Sequence, residues 1–230
     1  MAKRSIKLGL QPNMAQFVLL AVNNAFVGTM VGIERTVVPI LGQKTFHLNS
    51  LAVLLAFIAS FGLVKGPLNL LAGRLADRWG RKPVLIAGWL FGLPVPIMII
   101  LAPSWAWIVI ANLLLGANQG FAWSMTVTSK MDLVGPKRRG LALGVNEFSG
   151  YIGVAIISTV AGYLASAYSP RPIPFIMSEV IAVCGGLTAL IFIKETLPFT
   201  KLEIPVKASN EATPSLGQVF TWSLQIPEPS

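Results

Sequence analysis

Six long apolar stretches divide this chain of 230 residues, and they limit the folds that it can adopt. Each stretch has roughly the 20 residues that a helix needs to cross the apolar core of a bilayer. In lipid, only helices and closed β-barrels satisfy every backbone hydrogen bond, and the alternating segments of about ten residues that build a barrel are not found. We therefore predict an all-α, polytopic membrane protein with a six-transmembrane-helix bundle. The predicted spans cover residues 14–40, 51–72, 84–102, 105–127, 140–165 and 173–193.

The basic residues set the expected orientation of these spans. The net charge is +9, and most Lys and Arg fall before span 1, between spans 2 and 3, between spans 4 and 5, and after span 6. Positive charge collects on the cytoplasmic side of membrane proteins, which predicts a multi-pass protein of the plasma (inner) membrane with both termini cytoplasmic. Because the membrane orientation explains the basic loops, we do not expect a nucleic-acid partner. The expected partner of the basic loops is the lipid bilayer.

Residues of the kinds that enzymes and metal sites use are sparse. Cys184 is the single cysteine, which excludes an intramolecular disulfide. No cluster of His, Cys and acidic residues suggests a metal, and no Gly-rich phosphate loop suggests ATP-driven pumping. We therefore expect no enzymatic activity, no metal and no cofactor.

A short basic loop at 73–85 joins spans 2 and 3. Its distinctive residues are two glycines, one acid and four cations: Gly73, Arg74, Asp77, Arg78, Gly80, Arg81 and Lys82. This loop resembles the signature loop of the major facilitator superfamily, a large class of secondary transporters. The resemblance implies alternating access, in which two six-helix bundles rock around a midplane site. Members normally have twelve spans, so the chain corresponds to the N-terminal half.

The resemblance also implies a gating role for the loop. Gly73 is expected to allow close helix contact at the end of span 2. Asp77 is expected to meet a helix N-terminus, whose partial charge is positive, and in the family that partner belongs to the second bundle. We expect Arg78, Arg81 and Lys82 to pair with Asp77 or with lipid phosphates.

The expected domain organisation has three parts. Residues 1–13 form a cytoplasmic basic tail, residues 14–193 form the transmembrane bundle, and the polar residues 194–230 form a flexible cytoplasmic tail. Three explanations of the half length stay open: a truncated or split transporter, a half-size transporter that pairs with itself or another half, and a non-transporting scaffold or regulator. The first two require a second six-helix bundle as partner.

Ionisable residues inside the spans are the first candidates for a site. An ionisable residue at the bilayer centre costs about 2.5–3.5 kcal/mol on insertion scales, so it usually faces a cavity or a partner. Lys65 in span 2 and Glu147 in span 5 lie at matching depth, and we expect an ion pair, either static or opening during proton-coupled transport. Glu34 and Glu179 are weaker candidates, because Glu34 suits a surface pair equally well and span 6 is usually peripheral.

Side-chain amides are the second group of candidates. In the family that the loop resembles, spans 1 and 4 line the central cavity, and amides can hydrogen-bond a small solute without fixing its charge. The alternative is that they bond between helices. Neither the solute nor the direction of transport can be predicted. The amides concerned are Asn23, Asn24, Asn112, Asn118 and Gln119.

Pairs of glycines four residues apart predict helix contacts. Gly116 and Gly120 lie in span 4, and Gly140 and Gly144 open span 5. Small residues at this spacing let helices approach closely in lipid. We expect both pairs to serve packing.

Overall fold

A computed structural model describes residues 6–202 of the chain. Residues 1–5 and 203–230 lie outside this range, and with them most of the expected C-terminal tail. Within it, two short 3-10 turns, Gln11–Asn13 and Pro136–Arg138, precede helices α1 and α6. The helices are α1 (Met14–Lys44), α2 (Leu51–Trp79), α3 (Arg81–Gly92), α4 (Pro94–Ile100), α5 (Trp105–Val134), α6 (Arg139–Ala167), α7 (Ile173–Leu187) and α8 (Leu197–Thr200).

The all-α fold class is confirmed. Six helical segments are long and apolar enough to cross a membrane, and they match the six predicted spans in order. Span 3 is divided at Leu93 into α3 and α4, and Pro94 begins the second piece, where a proline needs no hydrogen-bond partner for its missing N–H. Span 6 consists of α7 followed by a short π-helical segment over Thr188–Phe192.

The loop predicted at 73–85 is almost entirely helical. Helix α2 runs on through Asp77 to Trp79, and α3 begins two residues later at Arg81. Gly80 is the only break, with a φ of +100° that favours glycine over any L side chain. The predicted span 2 ended just before Arg74, but Arg, Ala and Leu are good helix formers, and the helix continues to Trp79.

Helix α5 forms the centre of the bundle, and α2 and α6 lie at its edge. In the most apolar window of each helix, 67% of α5 is buried against 22% of α2. Helix α5 packs on α2 and α3, and α1 packs on α6. Consequently α2 and α6 present large apolar side chains outward, among them Leu63 and Leu70 of α2 and Phe148 of α6.

Glycines set the closest helix contacts, but not all the predicted ones. A Cβ added at Gly116 would lie 2.5 Å from the carbonyl oxygen of Phe61, so the span-4 pair packs against α2 as predicted. The prediction is wrong for Gly140 and Gly144, which have open space around them. Gly73 also has no neighbour within 4 Å, so its expected close contact is absent from this bundle.

The crossing of α1 and α6 depends on different glycines. A Cβ at Gly153 would lie 2.6 Å from the carbonyl oxygen of Ala25, and one at Gly28 would overlap the backbone of Gly150. The two helices therefore touch backbone to backbone, which brings the polar residues of α1 next to those of α6.

Residues 194–202 are folded against the bundle rather than forming the start of a flexible tail. Lys194 donates its backbone N–H to the side chain of Gln16 at 2.8 Å, and Thr196 donates its hydroxyl to Asp132 at 3.0 Å. The polar residues that suggested a tail instead form hydrogen bonds with residues near the ends of α1 and α5.

Candidate functional site

A cation–aromatic cluster lies between α2, α5 and α6. Lys65 is at the midpoint of α2, and its Nζ is 5.2 Å from the ring centroid of Trp123. The indole N–H of Trp123 donates a 2.9 Å hydrogen bond to Oε1 of Glu147. Tyr151 packs edge-on against Trp123 at 5.7 Å. The Trp123 ring therefore lies between the cation of Lys65 and the carboxylate of Glu147.

Phe61 connects this group of residues to Arg35 of α1. Nζ of Lys65 lies 5.5 Å from the Phe61 ring centroid, and the Arg35 guanidinium lies 4.9 Å from the same centroid. The cation–aromatic cluster consists of Arg35, Phe61, Lys65, Trp123, Glu147 and Tyr151. Lys65 and Glu147 are partly exposed, and Tyr151 is 63% exposed, so the cluster borders open space.

The predicted ion pair between Lys65 and Glu147 is not formed. The two residues do lie near each other, and their charges interact, but the ring of Trp123 contacts both. Glu147 Oε1 instead accepts from Trp123 and from the side-chain amide of Asn146 at 3.2 Å. Depth along the helices could be estimated from the sequence, but the aromatic ring between them could not.

Packing explains why Trp123 occupies this position. Gly116 and Gly120 bring α5 against α2, which places Trp123, one turn further along α5, beside Lys65. On the other side, Gly150 leaves room for the indole, because a Cβ at position 150 would overlap the Trp123 ring. Glycines of α5 and α6 therefore fix the position of the Trp123 ring.

The amides of α1 bond between helices. Asn24 donates to the backbone oxygen of Asn146 at 2.6 Å and accepts from the Thr126 hydroxyl at 2.9 Å. Asn23 donates to the Gly185 carbonyl at 2.8 Å and accepts from the Trp89 indole at 3.1 Å. Both asparagines are completely buried, so in this structure they tie helices together and do not line a cavity.

The amides of α5 are buried in the same way. Gln119 donates to the Val27 carbonyl at 2.8 Å, and Asn118 donates to the Gly88 carbonyl at 2.9 Å. Asn112 donates to Ile108 within its own helix at 3.0 Å, and it lies beside Glu34. Of the two alternatives for the amides, the geometry favours bonding between helices. Polar residues that do reach open space are Asn69 and Ser124, joined at 2.9 Å.

The two weaker acidic candidates lie away from the cluster centre. Glu34 is only 2% exposed, which does not fit the alternative of a surface pair with Arg35, and its Oε2 has no hydrogen-bond partner within residues 6–202. Oε2 of Glu179 on α7 is likewise unpartnered in that range. The fold places Glu34 beside the cluster and Glu179 on a peripheral helix.

Lys130 is a buried cation that the sequence reasoning missed. It was counted among the cytoplasmic loop charges, but α5 extends to Val134, and Lys130 is 0% exposed. Its Nζ has no hydrogen-bond partner among the described residues, although Glu147 attracts it from a distance. Small polar residues before it, such as Ser129, end the apolar run, so the predicted span 4 stopped at residue 127 although the helix continues.

A second charged group, the Arg81 network, lies at the end of the bundle where α2 meets α3. Arg81 pairs with Asp132 at 3.0 Å and with Asp77 at 2.7 Å, as expected for Asp77. The acid at the N-terminus of α3, however, is Glu195, whose carboxylate accepts from the backbone N–H groups of Arg81 at 2.8 Å and Lys82 at 3.0 Å. Glu195 therefore caps α3, whereas the helix N-terminus expected for Asp77 belongs, by the family resemblance, to a second bundle.

A cavity of about 590 Å³ opens beside this network and not at the cation–aromatic cluster. Its wall includes Lys7, Gln16, Lys194 and Glu195. The Arg81 network therefore borders open space at one end of the bundle, whereas the cation–aromatic cluster borders the outer face of α2 and α6.

Comparison with known proteins adds the family. The model of the Major Facilitator Superfamily matches residues 16–225. Multidrug resistance protein MdtG of Enterobacter lignolyticus is 32% identical over 57% of this chain and 31% of its own length. The class C tetracycline resistance protein of Escherichia coli is 27% identical over 84% of this chain and 47% of its own length.

A solved structure has the same fold. The human organic anion transporter MFSD10 superposes with a TM-score of 0.69 at 16% identity, covering 91% of this chain and 59% of that one. The chain spans less than half the length of the curated relatives named above. The family match covers nearly all of the chain, and the six-helix bundle agrees with it: the chain belongs to the Major Facilitator Superfamily.

Proposed function

We propose that the chain acts in secondary transport of a small solute by alternating access, as the N-terminal six-helix bundle of a transporter. The observation that supports this most is the cation–aromatic cluster at mid-height on the face between α2 and α6. Lys65 lies eight residues before Gly73, roughly 12 Å from the inner membrane boundary that is predicted at the end of span 2, at about 1.5 Å per residue. A charge at this depth is expensive unless it faces a water-filled pathway.

The second bundle would pack on the outer face of α2 and α6. This face is apolar, with Leu63, Leu70 and Ile156 exposed, and it carries glycines with free space such as Gly66 and Gly144. Bundles that rock against each other need such small residues where their helices cross. The solute site would then be enclosed between the cation–aromatic cluster and the partner bundle.

The Arg81 network would act as the gate at the cytoplasmic end. Asp77 is 70% exposed although it pairs with Arg81, so one side of its carboxylate is available to a helix of the second bundle. Arg78 and Lys82 flank it, and they would hold the loop to lipid phosphates. In this proposal the chain lies in the plasma membrane and both termini lie in the cytoplasm, an orientation that the distribution of basic residues supports.

Relatives suggest which solutes to test. Two of them are named multidrug and tetracycline resistance proteins, and the structural neighbour is named an organic anion transporter. The test is flux of tetracycline, of an aromatic anion and of an aromatic cation into proteoliposomes that hold the purified chain at a density where crosslinking shows dimers.

Flux of one solute that falls on Lys65→Gln and not on Lys44→Gln, a substitution of an exposed lysine at the end of α1, would support transport. Crosslinked dimers without flux of any solute would count against a transporter built from two copies of this chain, and would favour a bundle that needs a different second half or a non-transporting scaffold.

A further inference from the structure

Two cations share one aromatic ring in the cation–aromatic cluster. The Arg35 guanidinium and Lys65 Nζ lie 4.9 Å and 5.5 Å from the centroid of Phe61. The charges are therefore separated by no more than roughly one Debye length, about 10 Å in 0.1 M salt, and a membrane interior screens them far less than water does. Two like charges held this way repel each other.

No acid neutralises this pair directly. Neither Arg35 nor Lys65 forms an ion pair within residues 6–202. Glu147, the acid of the cluster, already accepts hydrogen bonds from Trp123 and Asn146. Glu34 is adjacent in sequence to Arg35 and attracts it, but its side chain is only 2% exposed, beside Asn112, and does not reach the open side of the cluster. The open side of the cluster therefore carries an excess of positive charge.

The neighbouring surface is aromatic. Phe61 and Trp123 flank Lys65, and Tyr151 packs on the Trp123 edge and is 63% exposed. Lysine has three N–H donors, and contact with ring faces uses them only weakly, so donors remain for an acceptor on the open side. A ligand that matches this surface has an anionic group and a flat apolar body.

We propose that the cluster binds an aromatic organic anion, with its carboxylate or sulfonate between Arg35 and Lys65 and its ring against Trp123 and Tyr151. This inference rests on the proposed function, since it names the solute class of the same site. An organic cation is disfavoured because the cluster holds two cations, Arg35 and Lys65, and a single acid, Glu147, which is already hydrogen-bonded. A lipid phosphate is disfavoured because Lys65 lies at the midpoint of α2.

The experiment measures binding to the purified 230-residue chain in nanodiscs of zwitterionic phosphatidylcholine. Three probes of the same shape are titrated by calorimetry: naphthoate, neutral naphthamide and cationic naphthylmethylammonium. The variants are Lys65→Gln and Arg35→Gln, which remove one charge each, and Lys65→Arg, which keeps it. Lys44→Gln is the matched control, because Lys44 is exposed and lies outside the cluster. Unfolding temperatures verify that each variant folds.

We expect naphthoate to bind and the other two probes to bind at least roughly tenfold more weakly, the usual effect of losing one charge-assisted contact. Lys65→Gln and Arg35→Gln should weaken naphthoate binding to a similar degree, while Lys65→Arg and Lys44→Gln retain it. Preference for the cation, an unchanged affinity in Lys65→Gln, or binding of none of the probes would overturn the proposal. Naphthoate binding without solute flux would count against transport alone, and flux without a preference for anions would count against this inference alone.

Discussion

Trp123 of α5 and Glu147 of α6, 24 residues apart in the sequence, are joined by a 2.9 Å hydrogen bond from the indole N–H to Oε1. The same indole lies against Lys65, so a single ring separates the acid from the base. Trp123 therefore links the packing of α5 against α6 to the position of Lys65.

Trp123→Phe tests the hydrogen bond while keeping an aromatic ring beside Lys65. The substitution removes a donor to a carboxylate, and we expect it to destabilise the chain by about 1–2 kcal/mol, as for other hydrogen bonds to charged groups. The measurement is chemical or thermal unfolding in detergent. Trp107→Phe is the control, because Trp107 is 45% exposed and makes no recorded side-chain hydrogen bond within residues 6–202. Equal stability of the two variants would show that the bond contributes nothing.

Gly150→Ala tests the packing of the Trp123 ring against α6. The added Cβ would overlap the ring and lie 2.8 Å from Nδ2 of Asn24, and overpacking of this kind costs typically 1–3 kcal/mol. Gly144→Ala on the same helix meets open space, so we expect it to be neutral or slightly stabilising through helix propensity. Unfolding temperatures compare the pair directly. A Gly150→Ala variant as stable as Gly144→Ala would contradict this packing.

The sequence was sufficient for the six spans because apolar length is a property of each segment alone. It was insufficient wherever a partner on another helix decides the outcome. Lys65 and Glu147 were predicted at equal depth, but the ring of Trp123 came from a third helix. Asn23 and Asn24 were read as candidates for a cavity because the backbone carbonyls that they bond to carry no sequence signal.

Charged residues near span ends were the other source of error. Arg74 and Asp77 were placed in a loop because hydropathy responds to charge, although both lie in a continuing helix. Lys130 was placed in a loop for the same reason. Helix propensity would have extended both spans, since no glycine or proline interrupts either segment after Gly73 or before Gly135.

Glu195→Gln tests the capping of α3. Glu195 accepts from the backbone N–H groups of Arg81 and Lys82, so its charge meets the positive end of the helix, and we expect a loss of about 0.5–2 kcal/mol on neutralisation. Asp77→Asn is the matched comparison, because the Asp77 side chain is 70% exposed and such pairs contribute about 1 kcal/mol or less. Unfolding in detergent ranks the two variants. If Asp77→Asn were the more damaging, Asp77 would be the structural acid of this network after all.

Lys130→Met tests whether the buried lysine serves stability. Methionine has a similar length and no charge, whereas the ammonium of Lys130 is completely buried and has no hydrogen-bond partner among the described residues. Burying an unpaired charge is unfavourable by several kcal/mol, and attraction to Glu147 at a distance offsets only part of it. We therefore expect a higher unfolding temperature for Lys130→Met, and no change for Lys137→Met, an exposed lysine a few residues later. A lower unfolding temperature would mean that the ammonium is held by a partner, such as bound water or a second bundle, and that its charge stabilises the fold.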